Sequence, residues 1–174
     1  MYTLPAPGDY NPYFDNYISL VSSQEDIVKY LAEQPQKLQQ LLGRVSASAA
    51  DFAYEPGKWS IKQLLGHMND TERIMAYRAL CIARGEQVSL PGFDENLYVT
   101  NARFEDRALE SLVTEHQAIR NATLALIKGL PPEATARRGN ANGHPITVSA
   151  LVYIIAGHEQ HHLNILKERY LAKL

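Results

Sequence analysis

Between Ser60 and Ile82 the apolar residues Ile61, Leu64, Leu65, Met68, Met75, Ala79 and Ile82 recur at spacings that fall on one face at about 100° per residue, predicting an amphipathic helix. The turn pair Pro56-Gly57 precedes it, and Ser60 with Gln63 forms a capping box at its start. Three further stretches read the same way. Ile27, Leu31, Leu38, Leu41 and Leu42 predict a helix to about Arg44, opened by an N-cap within Ser22–Asp26 and kinked at Pro35. Leu109, Leu112, His116, Ile119, Thr123 and Ile127 predict one from about Glu105 to Lys128, stopped by Gly129-Leu130-Pro131-Pro132. Val148, Leu151, Ile155, Ile165, Leu166 and Tyr170 predict the last, with Thr147 or Ser149 as cap and one broad stripe towards a core.

The connecting segments are of three kinds. Residues 1–13 hold Pro5, Pro7, Gly8 and Pro12 among tyrosines and predict an extended arm pinned by Tyr2, Tyr10 and Tyr13, followed by a short helical turn over Phe14–Val21. Residues 85–103 lose the helical period around Pro91-Gly92 and predict a long loop whose Phe93 and Tyr98, with Phe104 just beyond, fold over the mouth of a site. Gly139-Asn140-Ala141-Asn142-Gly143 predicts a short hairpin before the last helix. Four helices of about twenty residues with few irregular connections make an all-α four-helix bundle the economical fold, one domain over residues 1–174.

Polar residues that interrupt the stripes carry the chemistry. Glu72 falls inside the apolar face of its helix, where a carboxylate must be paired, and an arginine from another element such as Arg120 is the expected partner. His67, Thr71, Ile74 and Arg78 run along one flank of that helix, so His67 looks towards a neighbour. In the last helix His158 and His162 are one turn apart within the stripe, the spacing at which two imidazoles reach one ion, whereas His161 is rotated about 100° away and is not expected to be a ligand. His67, His158 and His162 together offer three nitrogen donors, a set that suits Zn²⁺ or Ni²⁺. A structural zinc site normally uses four protein ligands, so three leave a position for water or substrate. The bland reading is a set of core histidines hydrogen-bonded to neighbouring helices, and His116, alone on its stripe, fits that reading best.

Composition narrows the field. A formal net charge of −2 with dispersed Lys and Arg gives no footprint for a phosphate backbone, so no nucleic-acid partner is expected. No apolar run is long enough to span a membrane, no charged leader opens the chain, and the one cysteine, Cys81, cannot close an internal disulfide, so a cytoplasmic location is expected. There is no G-x-S-x-G elbow and no glycine-rich phosphate loop.

The run Trp59-Ser60-Ile61-Lys62-Gln63-Leu64-Leu65-Gly66-His67, then Asp70-Thr71-Glu72-Arg73 with Tyr77-Arg78-Ala79-Leu80, and finally Gly157-His158-Glu159-Gln160-His161-His162, resembles the DinB-like superfamily of damage-inducible and bacillithiol-transferase-like bundles. The resemblance extends from about Tyr13 to Leu166. It implies a four-helix bundle in which a histidine of the second helix and an H-x-x-x-H pair of the last bind a divalent metal, carried here by His67, His158 and His162. It also implies a small-molecule substrate, a low-molecular-weight thiol as cosubstrate (bacillithiol, mycothiol or glutathione in characterised relatives), and pairing as a homodimer.

The sequence thus predicts a divalent-metal-dependent enzyme that transfers a thiol to an electrophile, with Tyr98, Arg78 and His116 as candidate pocket residues and no catalytic side chain assigned. Metal-dependent hydrolysis and non-catalytic metal binding are the alternatives. Access to the metal beside Tyr98 or Arg78 discriminates between the catalytic and the structural readings.

Overall fold

The computed structural model describes residues 2–174 and contains six α-helices, α1 (Asp15–Ser19), α2 (Ile27–Leu42), α3 (Ile61–Ala83), α4 (Glu95–Ala102), α5 (Leu109–Lys128) and α6 (Val148–Ile165), with one hairpin, β1 (Arg138–Ala141) and β2 (His144–Thr147). Helices α2, α3, α5 and α6 form a four-helix bundle in which α3 packs on both α5 and α6, and α2 closes the other side against the same two helices. The capping box at α3 forms in full, with the Ser60 side chain on the Gln63 N–H and the Gln63 side chain on the Ser60 N–H. Asp26 caps α2 and Thr147 caps α6.

Helix α6 departs from the single stripe expected of it. Every residue from Val148 to Glu159 is buried, because α1, α2, α3 and the segment Pro132–Ala136 surround it. Its composition explains this: Ala150, Val152, Tyr153, Ile154 and Ala156 fill the faces that an amphipathic helix gives to polar residues. After Ile165 the coil widens into one π-type turn, Leu166–Tyr170, so the long predicted helix ends in two parts.

Residues 85–103 are not a continuous loop. Asp94 accepts from the N–H groups of Asn96 and Leu97 and starts α4, a helix with only Val99 buried. A helix with one buried residue has no apolar stripe, so periodicity could not reveal it. The hairpin forms as read, with Asn142 and Gly143 both at positive φ (53° and 77°) in its two-residue turn. Leu90 joins its edge through backbone bonds to Asn140 and Asn142, and Thr147 bonds back to Asp9, so hairpin, loop and N-terminal arm are tied together on one side of the bundle. Tyr2 holds the arm through Ile127 O, and Tyr10 is buried, but Tyr13 is 67% exposed and meets only its neighbours Phe14 and Tyr17 among the aromatic rings.

Candidate metal centre and its cavity

Helices α3 and α6 bring His67, His158 and His162 together. The His67 and His158 Nε2 atoms are 3.0 Å apart, those of His162 and His158 3.1 Å, and one ligand nitrogen from each ring lies within 4.8 Å of the others. Burial, and next the nearby His161, lowers the pKa of His67 to about 4. Burial and then the neighbouring imidazoles hold His158 and His162 well below the ordinary histidine range. All three are therefore neutral at pH 7, with lone pairs available. Three neutral imidazoles converging on one point fit a divalent ion: bonds of about 2.0–2.1 Å to nitrogen set donor atoms roughly 3 Å apart. Among the described residues no carboxylate or thiol joins this group, so the protein supplies three donors. His162 Nδ1 is buried without a partner of its own.

Two glycines permit this geometry. A Cβ on Gly157 would lie 2.1 Å from the Tyr17 carbonyl oxygen, so only glycine lets α1 cross α6 this closely. The crossing sets the Tyr17 ring edge-on to His158, with centroids 5.4 Å apart. On α3, a Cβ on Gly66 would lie 2.4 Å from the Phe104 ring, which packs against the helix at the residue before His67. Trp59 packs against the His67 ring at 4.6 Å between centroids.

The histidines end in the wall of a cavity of about 480 Å³. Helix α3 lines it with His67, Thr71, Met75 and Arg78, while the aromatic walls come from Phe14, Tyr17, Trp59 and Phe93. The hairpin and the N-terminal arm close the outer side through Asn142, His144 and Tyr13.

The residues singled out from the sequence separate into groups. Arg78 lines this cavity at 5% exposure. Tyr98 does not: α4 turns it outward, 44% exposed, over a shallow groove with Asp70, Arg73 and Ile74, so its expected place in the pocket is corrected by the helix found where a loop was predicted. His161 stays outside the metal group, half-buried against Tyr17. His116 is also outside the cavity, since it faces Glu159 at 3.4 Å in a buried cluster between α3, α5 and α6. There Arg120 binds both Glu72 oxygens at 2.8 Å and also donates to Glu159, so the predicted partner of Glu72 is the one found. Burial pushes Glu159 upward, but Arg120 and His116 more than offset this and its pKa is lowered. The acids Glu72 and Glu159 with His116 are close enough to hold an ion, yet the guanidinium already stands between the two carboxylates.

Sequence reasoning missed Trp59, Phe14 and Tyr17 as cavity residues. Trp59 had a usable signal, since it precedes the cap of the helix carrying His67. Tyr17 had none, because its position depends on a crossing over a helix 140 residues further on.

These residues fall within a known family. The sequence matches the DinB superfamily over residues 30–166, and the chain belongs to it. Among solved structures it is similar to YfiT from Bacillus subtilis, described as a probable metal-dependent hydrolase with an unusual four-helix bundle topology, with a TM-score of 0.78 and 19% identity over 97% of this chain and 92% of that one. It is also similar to the DinB-like protein YjoA from Bacillus subtilis, with a TM-score of 0.61 and 18% identity over 84% of this chain and 90% of that one. The sequence has no match among curated proteins. At these identities the likeness concerns the fold. No helix of the described residues is long and apolar enough to cross a membrane.

Proposed function

We propose that this protein is a divalent-metal-dependent enzyme, using zinc or nickel, that transfers a low-molecular-weight thiol to an electrophilic small molecule. The observation that carries this reading is that the three neutral imidazoles end in the wall of an accessible cavity instead of being sealed by side chains. A divalent ion held by His67, His158 and His162 would supply the Lewis acidity that keeps a thiol ionised at neutral pH. In the transfer a carbon–sulfur bond forms, the thiol proton passes to solvent, and the leaving group departs with its bonding electrons. The chain itself binds and shields: Trp59 and Tyr17 exclude water on two sides of the histidines, and Phe14 and Phe93 offer apolar walls to the organic body.

Hydrolysis is the second reading, favoured by the description of YfiT as a probable metal-dependent hydrolase. Activating water calls for a general base beside the metal, as the glutamate of H-E-x-x-H zinc sites provides. Here Glu159 follows His158, but its Oε2 is engaged by Arg120 and His116 and the residue does not line the cavity that the histidines face. Non-catalytic metal binding is disfavoured by the cavity.

The test incubates metal-loaded and chelator-treated protein with bacillithiol, mycothiol, glutathione or coenzyme A and 1-chloro-2,4-dinitrobenzene, following the thioether by absorbance. Metal-dependent adduct formation with at least one thiol is expected. Metal-dependent cleavage of p-nitrophenyl acetate without any adduct would transfer the assignment to hydrolysis.

A further inference from the structure

Arg78 is a buried cation with no anion. At 5% exposure its guanidinium donates from Nη2 to the Pro91 carbonyl at 2.6 Å and from Nη1 towards the Met75 sulfur at 3.5 Å. The Phe93 ring lies 5.9 Å from Cζ. Among the described residues no carboxylate forms an ion pair with it, and burial alone accounts for its lowered pKa. The one acidic residue lining the same cavity is Glu95, whose charge acts on the Tyr17 hydroxyl instead. The other buried guanidinium, Arg120, has Glu72 and Glu159 as counter-charges, and a buried charge left unpaired is costly. An arginine presents five donors, and its contacts to Pro91 and Met75 leave others without a protein partner at a residue that lines the cavity.

Building on the metal-dependent transfer reading, we propose that Arg78 binds a carboxylate carried by the thiol, so that the cavity takes an elongated molecule with sulfur at the histidine end, an apolar middle and one negative charge at the far end. Three features fix this class. Arg78 is the single lysine or arginine lining the cavity, which matches one negative charge better than a phosphate dianion. His67 and Arg78 stand on the same face of α3 eleven residues apart, about 16 Å along the axis, so a short thiol cannot reach both ends. The walls include Met75, Ile154 and aromatic rings, with Thr71 the one polar residue that α3 adds to them between His67 and Arg78 and no second lysine or arginine to take another negative charge.

The probe is 8-mercaptooctanoate, compared with the neutral 8-mercaptooctanamide and with 2-mercaptoethanol, each titrated into metal-loaded protein without an electrophile. Trp59, the only tryptophan in the sequence, lies beside His67 and reports binding by its fluorescence. The acid is expected to bind at least tenfold more tightly than the amide. Arg78→Gln, which keeps a donor for Pro91, should bring the acid down to the amide's affinity without changing the amide, and Arg78→Lys should retain part of the preference. Equal affinity of acid and amide in the unaltered protein, or a preference that survives Arg78→Gln, overturns the proposal. So does an equal loss of acid and amide in Arg78→Gln, which would mark Arg78 as an anchor of the loop through Pro91. Because binding is read without turnover, an acid preference in a protein that forms no adduct would sink the transfer reading and leave this one standing, and adduct formation without the preference would do the reverse.

Discussion

Arg120 takes up the carbonyl that Pro35 leaves free. Proline has no N–H, so within α2 the carbonyl of Leu31 loses its usual helical donor, and Arg120 Nη1 donates to it at 2.7 Å. The same nitrogen reaches Gln34 Oε1 at 3.3 Å, and Gln34 Nε2 donates to Ala156 O at 2.8 Å, joining three helices through one fully buried guanidinium. Arg120→Met should therefore destabilise the protein by about 3–5 kcal/mol, since it leaves Glu72 and Glu159 buried without a counter-charge. Urea unfolding measures this. A midpoint equal to that of the unaltered protein would show that the network contributes nothing net.

Single alanine replacements of His67, His158 and His162 should each remove stoichiometric zinc or nickel from the purified protein, while His161→Ala should retain it. Mass-spectrometric metal analysis after gel filtration reads the outcome. Retention of the ion by His158→Ala together with its loss in His161→Ala would mean that the ligand set is wrongly drawn.

Chelator-treated protein should lose stability as pH falls from about 6.5 to about 4. The sign follows from His67, whose folded pKa is lowered: between those two values the unfolded chain binds a proton that the folded chain refuses. Loss begins near the unfolded value, is complete below the folded one, and amounts to roughly 3 kcal/mol for this buried ring. His158 and His162, shifted in the same direction, should add to it. Thermal unfolding across that range provides the measurement, and a flat profile would contradict the burial that drives the shifts.

Cys81→Ser should leave adduct formation unchanged. The thiol is half-buried on α3 and absent from the cavity lining, so it takes no part in the proposed transfer. Complete inactivation by this replacement would place the nucleophile on the protein and displace the proposed chemistry.

Gly157→Ala should cost about 1–3 kcal/mol, because the new methyl meets backbone at Tyr17, which yields less readily than a side chain tip. The forced separation of α1 from α6 would also draw the Tyr17 ring from His158. Denaturant titration and the near-ultraviolet circular dichroism of the tyrosines test both effects.

Much of this architecture was legible because local chemistry and tertiary role agree. Ser60 and Gln63 announce α3, Asn142-Gly143 announces a two-residue turn, and Glu72 on an apolar face demands the cation that Arg120 supplies. The spacing of His158 and His162 placed two imidazoles on one side of a helix before any partner was known. What escaped did so for identifiable reasons. Helix α4 buries only Val99 and so carries no periodic signal, and Tyr98 followed it outward. The stripe of Val148, Leu151 and Ile155 drew attention to one face of α6, whereas Ala150, Val152, Ile154 and Ala156 on its flanks carried the signal that its first twelve residues are enclosed. Tyr17 and Phe14 reach the cavity through the approach that Gly157 allows, a relation between segments too distant for any local pattern to record.

The N-terminal arm and α1 supply Asn11, Tyr13, Phe14 and Tyr17 to the cavity, yet they precede residue 30, where the match to the family begins. His67, His158 and His162 all lie inside the matched stretch. Gly157 joins the two parts, since the α1 backbone at Tyr17 rests on it in the helix that carries His158 and His162. Tyr17 therefore belongs to both parts at once, a wall of the cavity and the neighbour of a histidine.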